Sequence, residues 1–481
     1  MQYQSTRGLS PLVDSAQAVL NGLAPDGGLY LPCDLPAFSW EDCVRKDTMG
    51  MAEQILSAFL PDIPNMDVLV AKAYTGKFET EDLTPTVAVG NFSVLELFRG
   101  PTSAFKDVAL SMLPQLMTAA KTAKADDKDI LILTATSGDT GKAALEGFKD
   151  VEGIRICVFY PHGGVSDVQR RQMVSQEGSN VTVCAVRGNF DDAQTGVKNI
   201  FTACRDKELP VRLSSANSIN IGRLVPQITY YFKAYRDLLD AGRIKLGDEV
   251  NFSVPTGNFG DILAGYLAKK LGLPVGKLIC ASNANNVLTD FIRTGTYDRR
   301  HTLYKTDSPS MDILVSSNLE RLLYFVSEDT ALVARLMQEL NTQGHYQVPQ
   351  ELLTEIQGQF WAGWCDDARG AETIAKVWKE NGYLCDTHTA SGWAAAEDYV
   401  NQTGDNRPMV VLSTASPYKF PAAVLAAIGE SAKGDEFDQL EQLQKVTGVP
   451  IPKNLAVLST MPELHKSVID KDTMLDFVLA L

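Results

Sequence analysis

From about residue 91, short apolar runs alternate with stretches whose apolar residues recur at helical spacing. The apolar runs predict buried strands and the stretches between them predict helices, which is the rhythm of strand–helix–strand units. The predicted strands are 129–134, 155–160, 181–186, 251–254, 277–280 and 409–414; the predicted helices include 140–149, 166–177, 191–204, 221–240, 260–271 and 421–428, and 317–385 is mostly helical. The pattern therefore predicts an α/β fold with mainly parallel sheets.

These elements divide the chain into two α/β blocks with a further segment on either side. We predict an N-terminal α+β element over 1–90, two open, twisted, mainly parallel sheet domains flanked by helices over 91–245 and 246–430, and a peripheral C-terminal segment over 431–481. A chain of 481 residues is long enough for two or three domains. Ligands of open α/β sheets bind beyond the carboxyl ends of the strands, so the loops after the strands are the places to examine for chemistry.

Composition narrows the class of partner. The net charge of −15 argues against nonspecific binding to nucleic acid or to anionic membranes. An anionic ligand would need a local pocket of N–H groups or positive charge. No apolar run approaches the ~18 residues that span a bilayer, and residues 1–7 lack the apolar core of a signal peptide.

Cysteine and histidine usage argues against a metal site or a disulfide framework. The eight cysteines contain no CxxC pair, and the five histidines contain no HExxH-like pair. We therefore expect a soluble cytoplasmic protein with no metal and no membrane or nucleic-acid partner.

Two glycine-rich loops follow predicted strands. Residues 136–142 read TSGDTGK and residues 255–261 read PTGNFGD, each leading into a predicted helix. Free backbone N–H groups in such loops form anion sites, and those of the second loop can converge on one oxyanion. Neither loop has P-loop or dinucleotide-fingerprint spacing. The alternative interpretation of each loop is a capped turn, but two such loops at strand ends favour a function.

Two further segments carry polar groups. Residues 214–223 are rich in serine and asparagine and end in Arg223, whose guanidinium can bond a phosphate or carboxylate through two donors. Thr414 ends the 409–414 strand and would offer a hydroxyl to a cleft. The alternatives are a turn with a helix cap for 214–223 and a buried strand residue for Thr414.

Lys106 lies where the turn of Gly100 and Pro101 runs into a predicted helix. The positive end of a helix and nonpolar neighbours both disfavour an ammonium, which lowers the pKa of the lysine. A neutral amine can form a Schiff base, the usual task of a catalytic lysine. The alternative is a surface lysine lying beside a helix start.

Taken in order, these motifs resemble the threonine synthase family, which comprises fold-type II pyridoxal-phosphate enzymes of the tryptophan synthase β superfamily. The resemblance covers nearly the whole chain. It rests on YQSTRG (3–8), LAPDGGLYLP (23–32), GPTSAFKD (100–107), TSGDTGK (136–142), NSINIGR (217–223), PTGNFGD (255–261), SPSMDILVSSN (308–318) and STASPYKF (413–420). Any one motif is weak, but the full set in this order is specific.

The resemblance implies a role for each matching position. Lys106 would carry pyridoxal 5'-phosphate as a Schiff base and act as the catalytic base. Asp139, or the loop that contains it, would lie near the cofactor hydroxyl and the substrate carboxylate, and Thr414 would face the pyridine nitrogen. The residues implied for the cofactor phosphate are Gly257, Asn258, Phe259, Gly260 and Asp261, and those for the substrate's carboxylate and phosphate are Ser137, Thr140, Asn217, Ser218 and Arg223.

The implied reaction converts O-phospho-L-homoserine and water to L-threonine and phosphate, the last step of threonine biosynthesis, in a monomer or homodimer. The alternatives are a serine/threonine dehydratase or a phospholyase with the same cofactor, or a non-catalytic anion-binding relative. Two positions depart from the family pattern: Arg99 stands where histidine is common, and Thr387 where proline is common. We expect Arg99 to face solvent.

Overall fold

The computed structural model describes residues 1–136, 138–204 and 209–481. All six strands predicted from apolar runs are present, with ends within two residues of the predicted ones. In chain order the strands are β1 (Gln2–Ser5), β2 (Val13–Asp14), β3 (Tyr30–Pro32), β4 (Thr86–Val89), β5 (Phe92–Glu96), β6 (Asp129–Ala135), β7 (Ile154–Pro161), β8 (Val181–Arg187), β9 (Val211–Ser214), β10 (Val250–Pro255), β11 (Val275–Ser282), β12 (Thr296–Asp298), β13 (His345–Gln347), β14 (Phe360–Trp364), β15 (Met409–Ser413) and β16 (Ser467–Asp470).

Helices cover the sheets and connect the strands. They are α1 (Ser15–Asn21), α2 (Trp40–Cys43), α3 (Thr48–Phe59), α4 (Met66–Tyr74), α5 (Lys106–Ala123), α6 (Asp139–Phe148), α7 (Asp167–Val174), α8 (Phe190–Cys204), α9 (Ile221–Leu224), α10 (Ile228–Asp240), α11 (Gly260–Lys270), α12 (Val287–Thr294), α13 (Leu319–Ser327), α14 (Thr330–Gln343), α15 (Gln350–Gln359), α16 (Asp367–Asn381), α17 (Thr387–Thr403), α18 (Pro421–Ala427), α19 (Glu436–Thr447), α20 (Lys453–Ala456) and α21 (Met474–Leu479). The predicted 221–240 helix is divided by a 3₁₀ turn that contains Pro226, because proline lacks an N–H to donate. Among the described helices, none is long and apolar enough to cross a membrane.

The larger sheet has the strand order β14-β11-β10-β15-β5-β4 and is parallel except for the antiparallel edge strand β4. Ser253 of β10 pairs with Val411 of β15, which in turn pairs with Val94 of β5. Because these strands run in the same direction, the loops that leave β10, β15 and β5 meet at one edge of the sheet.

The second sheet has the order β16-β8-β7-β6-β9, and its strand pairs are parallel. Its inner strands β6 and β7 are almost entirely buried, which explains why they read as continuous apolar runs rather than alternating ones. Two mainly parallel sheets flanked by helices confirm the predicted fold class.

The N-terminal segment forms the antiparallel sheet β2-β1-β3 with helices beside it. Thr6 Oγ1 donates to Glu320 Oε1 at 2.6 Å, and Arg7 Nε donates to the same oxygen at 2.9 Å. Arg321 is fully buried and donates to the Tyr30 carbonyl at 2.9 Å. These contacts attach the N-terminal element to helix α13.

The chain segments that contribute strands to each sheet do not follow the predicted domain division in two places. Strands β4 and β5, near residue 91, belong to the sheet of β10 and β15 rather than to that of β6. The 431–481 segment, expected to be peripheral, supplies β16, and its Asn454 bonds to the turn before Lys106. Apolar periodicity identifies strands but carries no information on which sheet they join, so the domain boundaries at 91 and 431 stay predictions.

Candidate active site

The turn before Lys106 is held by contacts with distant parts of the chain. Ser103 has φ of 59°, a left-handed conformation that is unfavourable for a residue with a side chain. Its carbonyl accepts from Ser416 N at 3.1 Å, and its hydroxyl donates to Asn454 Oδ1 at 3.0 Å. Phe105 N donates to the Thr414 carbonyl at 2.8 Å. The strand end at Thr414 thus determines where helix α5, and with it Lys106, begins.

Asp107 closes the same turn from inside the helix. Its carboxylate accepts from Thr102 N at 2.8 Å and from Thr102 Oγ1 at 2.5 Å. Burial raises the pKa of Asp107 to about 6, despite these hydrogen bonds to the ionised form. Gly100 leaves room for this carboxylate, because a Cβ there would lie 2.5 Å from Asp107. Sequence reasoning did not single out Asp107.

Lys106 is buried, with 8% of its surface exposed, at the start of helix α5. Its Nζ lies 4.6 Å from the centre of the Phe105 ring and 3.8 Å from Asp139 Oδ2. Burial lowers the pKa of Lys106, and the charges of Lys419 and Arg223 lower it further, against the opposing effect of Asp139. This environment favours a neutral amine, as the residues around Lys106 predicted.

Asp139 is the first residue of helix α6, and its carboxylate faces two lysines. Oδ1 lies 2.6 Å from Lys419 Nζ and also accepts from Gln169 Nε2 at 3.0 Å, while Oδ2 faces Lys106. The nearby lysines, Lys419 more than Lys106, hold the pKa of Asp139 well below its usual range, although burial opposes them. Lys419 and Gln169 were missed from the sequence; a lysine in the loop after a buried strand was the available signal for Lys419.

The loop between β10 and α11 presents unpaired N–H groups. Within the described part of the chain, no protein acceptor bonds the N–H groups of residues 257–262, and helix α11 has no side-chain cap. Phe259 has φ of 60°, which turns successive N–H groups toward a common point, as in anion-binding nests. The loop therefore provides the N–H-rich pocket that an acidic protein needs to bind a phosphate.

The segment 308–318 supports this nest from behind. Ser316 Oγ donates to the Gly257 carbonyl at 2.7 Å, and Asn318 N and Nδ2 both donate to the Asn258 carbonyl at 3.1 Å. Ser310 N donates to His388 Nε2 at 3.1 Å. The carbonyls of the loop are thereby engaged on one side, which leaves its N–H groups directed to the other. The motif at 308–318 was noticed in the sequence, but this supporting function was not predicted.

Asp261 lies at the end of the nest but turns its carboxylate into the core. Tyr230 and Tyr231 donate to its Oδ1 at 2.6 and 3.0 Å, and its Oδ2 has no partner within the described residues. Burial raises the pKa of Asp261 to about 6. Its side chain is therefore a support of the nest, while its backbone N–H remains part of it.

Arg223 is buried at the start of α9 without a carboxylate partner among the described residues. Its Nη1 donates to the Ala216 carbonyl at 2.5 Å, its Nε has no partner in the described part of the chain, and burial lowers its pKa to about 10. Ser218 lies beside the nest, since a Cβ on Gly260 would be 3.9 Å from Ser218 Cβ. A buried cation without a counter-ion is suited to an anionic ligand.

Most of the remaining predicted site residues can be located in the structure. Thr414 is buried beside the Lys106 turn, and Thr140 is half-buried in the first turn of α6. Asn217 is half-buried next to Ser218. Ser137 lies outside the described residues.

Arg99 faces solvent only in part, with 33% of its side chain exposed. It lies 2.6 Å from Glu96 and 3.1 Å from Glu79, and Glu96 is buried at the end of β5. The pairing with these two carboxylates was not expected, because they come from the strand end and from a preceding turn. Thr387 begins α17, where its hydroxyl donates to the Asp307 carbonyl at 2.7 Å. Among the described residues, no group of histidine, cysteine and acidic side chains is arranged to hold a metal ion.

Comparison with known proteins gives three family-model matches. Residues 2–74 match "Threonine synthase N terminus", residues 78–415 match "Pyridoxal-phosphate dependent enzyme", and residues 389–471 match "Threonine synthase, C-terminal". The human protein "Threonine synthase-like 1" is 37% identical over 95% of this chain, which spans 62% of that protein's length. The threonine synthase of Pseudomonas aeruginosa is 42% identical over 90% of this chain and 91% of its own length. The crystal structure of PLP-bound threonine synthase from Brucella melitensis superposes with a TM-score of 0.88 at 38% identity, covering 99% of this chain and 98% of that one.

Proposed function

The chain belongs to the threonine synthase family of pyridoxal-phosphate-dependent enzymes, and we propose that it converts O-phospho-L-homoserine and water into L-threonine and phosphate. The observation that carries this proposal is a buried lysine of lowered pKa at the same sheet edge as a nest whose N–H groups have no acceptor among the described residues. These are the two features that a lysine-anchored, phosphate-bearing cofactor requires.

The residues present fit the cofactor. The unpaired N–H groups of 257–262 suit its phosphate, and Lys106 suits its aldehyde. Thr414 would face the pyridine nitrogen, and Asp139 would lie near the ring hydroxyl, with Oδ2 as the free acceptor. A hydroxyl beside the pyridine nitrogen would not hold that nitrogen protonated in the way that a carboxylate does.

When bound, the cofactor supplies an electron sink for the carbon atoms of the substrate next to its amine. Lys106 then acts as the base. As a neutral amine it takes the proton from the α-carbon and returns protons to carbon later in the reaction. Burial of Lys106 beside Phe105 favours the neutral amine before the first transfer, and exclusion of water keeps the abstracted proton on Lys106 until it is returned to carbon.

The site must bind three anionic groups. The substrate brings a carboxylate and a phosphate, and the cofactor brings its own phosphate. We propose that Arg223 bonds one of these groups. Its guanidinium is buried, and its positive charge is one of those that lower the pKa of Lys106. Ser137, Thr140, Asn217 and Ser218 would supply neutral donors around it. The phosphate lost at the γ-carbon would need a second anion site, separate from the cofactor cradle, since one anion site cannot serve both groups at once.

Product analysis separates this proposal from its alternatives. Purified protein supplied with O-phospho-L-homoserine should release phosphate and L-threonine in equal amounts. Ammonia with a keto acid or aldehyde product would instead identify a dehydratase or phospholyase. Borohydride reduction should leave a pyridoxyl group on Lys106, and Lys106→Ala should abolish turnover. Full turnover by that variant would overturn the assignment of Lys106, and absence of any product would favour a non-catalytic relative.

The cytoplasmic location and the monomeric or homodimeric state remain predictions from the sequence. Size-exclusion chromatography with light scattering measures the second directly.

A further inference from the structure

The Asp139 carboxylate faces two lysines, but it makes a close ion pair with only one of them, Lys419. Lys419 Nζ lies 2.6 Å from Oδ1, whereas Lys106 Nζ lies 3.8 Å from Oδ2. Gln169 Nε2 donates to Oδ1 as well, at 3.0 Å. Since two strong donors meet on Oδ1, they orient the carboxylate and leave Oδ2 to face Lys106 without a close bond.

Lys419 is fully buried, with no exposed surface. Its ammonium also donates to the Thr102 carbonyl at 3.2 Å, within the turn that precedes Lys106. A buried ammonium is costly unless it is paired and hydrogen-bonded. Asp139 and Thr102 supply those partners, so Lys419 links the carboxylate of α6 to the turn that places the reactive lysine.

We propose that Lys419 is a positioning residue that holds the Asp139 carboxylate for itself and thereby leaves the Lys106 nitrogen free to accept and return protons. This inference rests on the proposed role of Lys106. Without Lys419, the charge of Asp139 would be balanced chiefly by Lys106, whose protonated form would be stabilised. The charges of Lys419 and Asp139 cancel, so the Asp139 carboxylate would not repel an anionic substrate.

Other charges near Lys106 do not substitute for Lys419. The ionisable groups that act on Lys106 are Asp139, Lys419, Arg223, Asp107 and Asp261. Arg223 is not paired with Asp139, and Asp107 and Asp261 have pKa values raised to about 6 by burial. A unit charge about 6 Å away in a medium of effective dielectric about 20 shifts a pKa by about two units. Loss of Lys419 should therefore raise the pKa of the Lys106 nitrogen by about one unit or more.

The test titrates the visible absorbance of the holoenzyme from about pH 6 to about pH 10, a range below the ordinary pKa of a lysine amine. The bound cofactor reports protonation of the nitrogen that links it to Lys106. Lys419→Met should raise the midpoint of this transition by about one unit or more, and the acidic limb of the kcat/KM profile should move in the same direction. Lys419→Arg should keep the unmodified midpoint, because it retains the charge.

The double variant Lys419→Met with Asp139→Asn removes both charges of the pair, so its midpoint should return toward that of the unmodified protein. A purely structural role would not produce this reversal. Lys419→Gln keeps a hydrogen-bond donor without the charge, and it carries the same expectation as Lys419→Met where the latter does not fold. An unmodified midpoint in the neutral variants, or an equal shift in the double variant, would overturn the proposal. Failure of the underlying function would look different, as an absence of any cofactor absorbance in the unmodified protein.

Discussion

Substitution of Gly257 by alanine adds one methyl group to the nest at residues 257–262 and tests whether this nest binds the cofactor phosphate. A Cβ at Gly257 would lie 2.6 Å from the Ser310 carbonyl oxygen, about 0.8 Å closer than the ordinary contact of 3.4 Å. The obstacle is backbone rather than a flexible side chain. The φ of Gly257 is not in the left-handed region, so lack of space rather than backbone strain is the cause of any effect.

The segment that would have to move is anchored on both sides. Ser310 N bonds His388, and Ser316 Oγ bonds the Gly257 carbonyl. Overpacking of a well-packed site costs about 1–3 kcal/mol. Because the methyl group would push the loop out of its anion-binding geometry, we expect the affinity for pyridoxal 5'-phosphate to fall by about 10- to 100-fold.

The assay is a titration of the apoprotein with pyridoxal 5'-phosphate, followed by visible absorbance. Gly358→Ala is the matched control, since a Cβ there meets nothing within 4 Å and the residue lies in helix α15. The control should bind the cofactor normally and gain up to about 1 kcal/mol of stability. Unchanged affinity in Gly257→Ala, or an equal loss in Gly358→Ala, would refute the assignment of the nest to the cofactor phosphate.

Three other perturbations test separate parts of the site. Arg223→Met should raise KM for O-phospho-L-homoserine by about tenfold or more, because a charge-assisted hydrogen bond contributes about 1.5–3 kcal/mol; an unchanged KM would remove Arg223 from the substrate site. Asn454→Ala loses its bonds to Ser103 and to the Pro101 carbonyl, so urea unfolding should show a loss of about 1–2 kcal/mol, whereas the exposed neighbour Lys453→Ala should show almost none. Burial raises the pKa of Asp261 from 3.8 to about 6, so its contribution to stability is full below about pH 4 and is lost as the pH rises through 6. Asp261→Asn should therefore gain up to about 3 kcal/mol relative to the unmodified protein between pH 4 and pH 7, and a constant difference across that range would contradict the buried environment.

Sequence reasoning located the local features of this site. The apolar runs at β6, β10 and β15 predicted buried parallel strands, because a strand covered on both faces carries apolar side chains at most of its positions. The glycine-rich loop after β10 predicted a phosphate cradle, and Lys106 at a helix start predicted an amine of lowered pKa. Each of these properties depends on a few consecutive residues, so each can be recognised along the chain.

Contacts between distant residues could not be predicted in this way. Lys419 follows Asp139 by 280 positions, and only the arrangement of β15 and α6 brings their side chains together. The same holds for Asn454 and Ser103, and for β5, which joins the sheet of β10 rather than that of β6. The sequence by itself determined which segments become strands, helices and N–H-rich turns, because those depend on periodicity and local backbone preference. The tertiary structure alone decided which buried charges face Lys106, because sheet order and loop packing determine which distant side chains share one desolvated space.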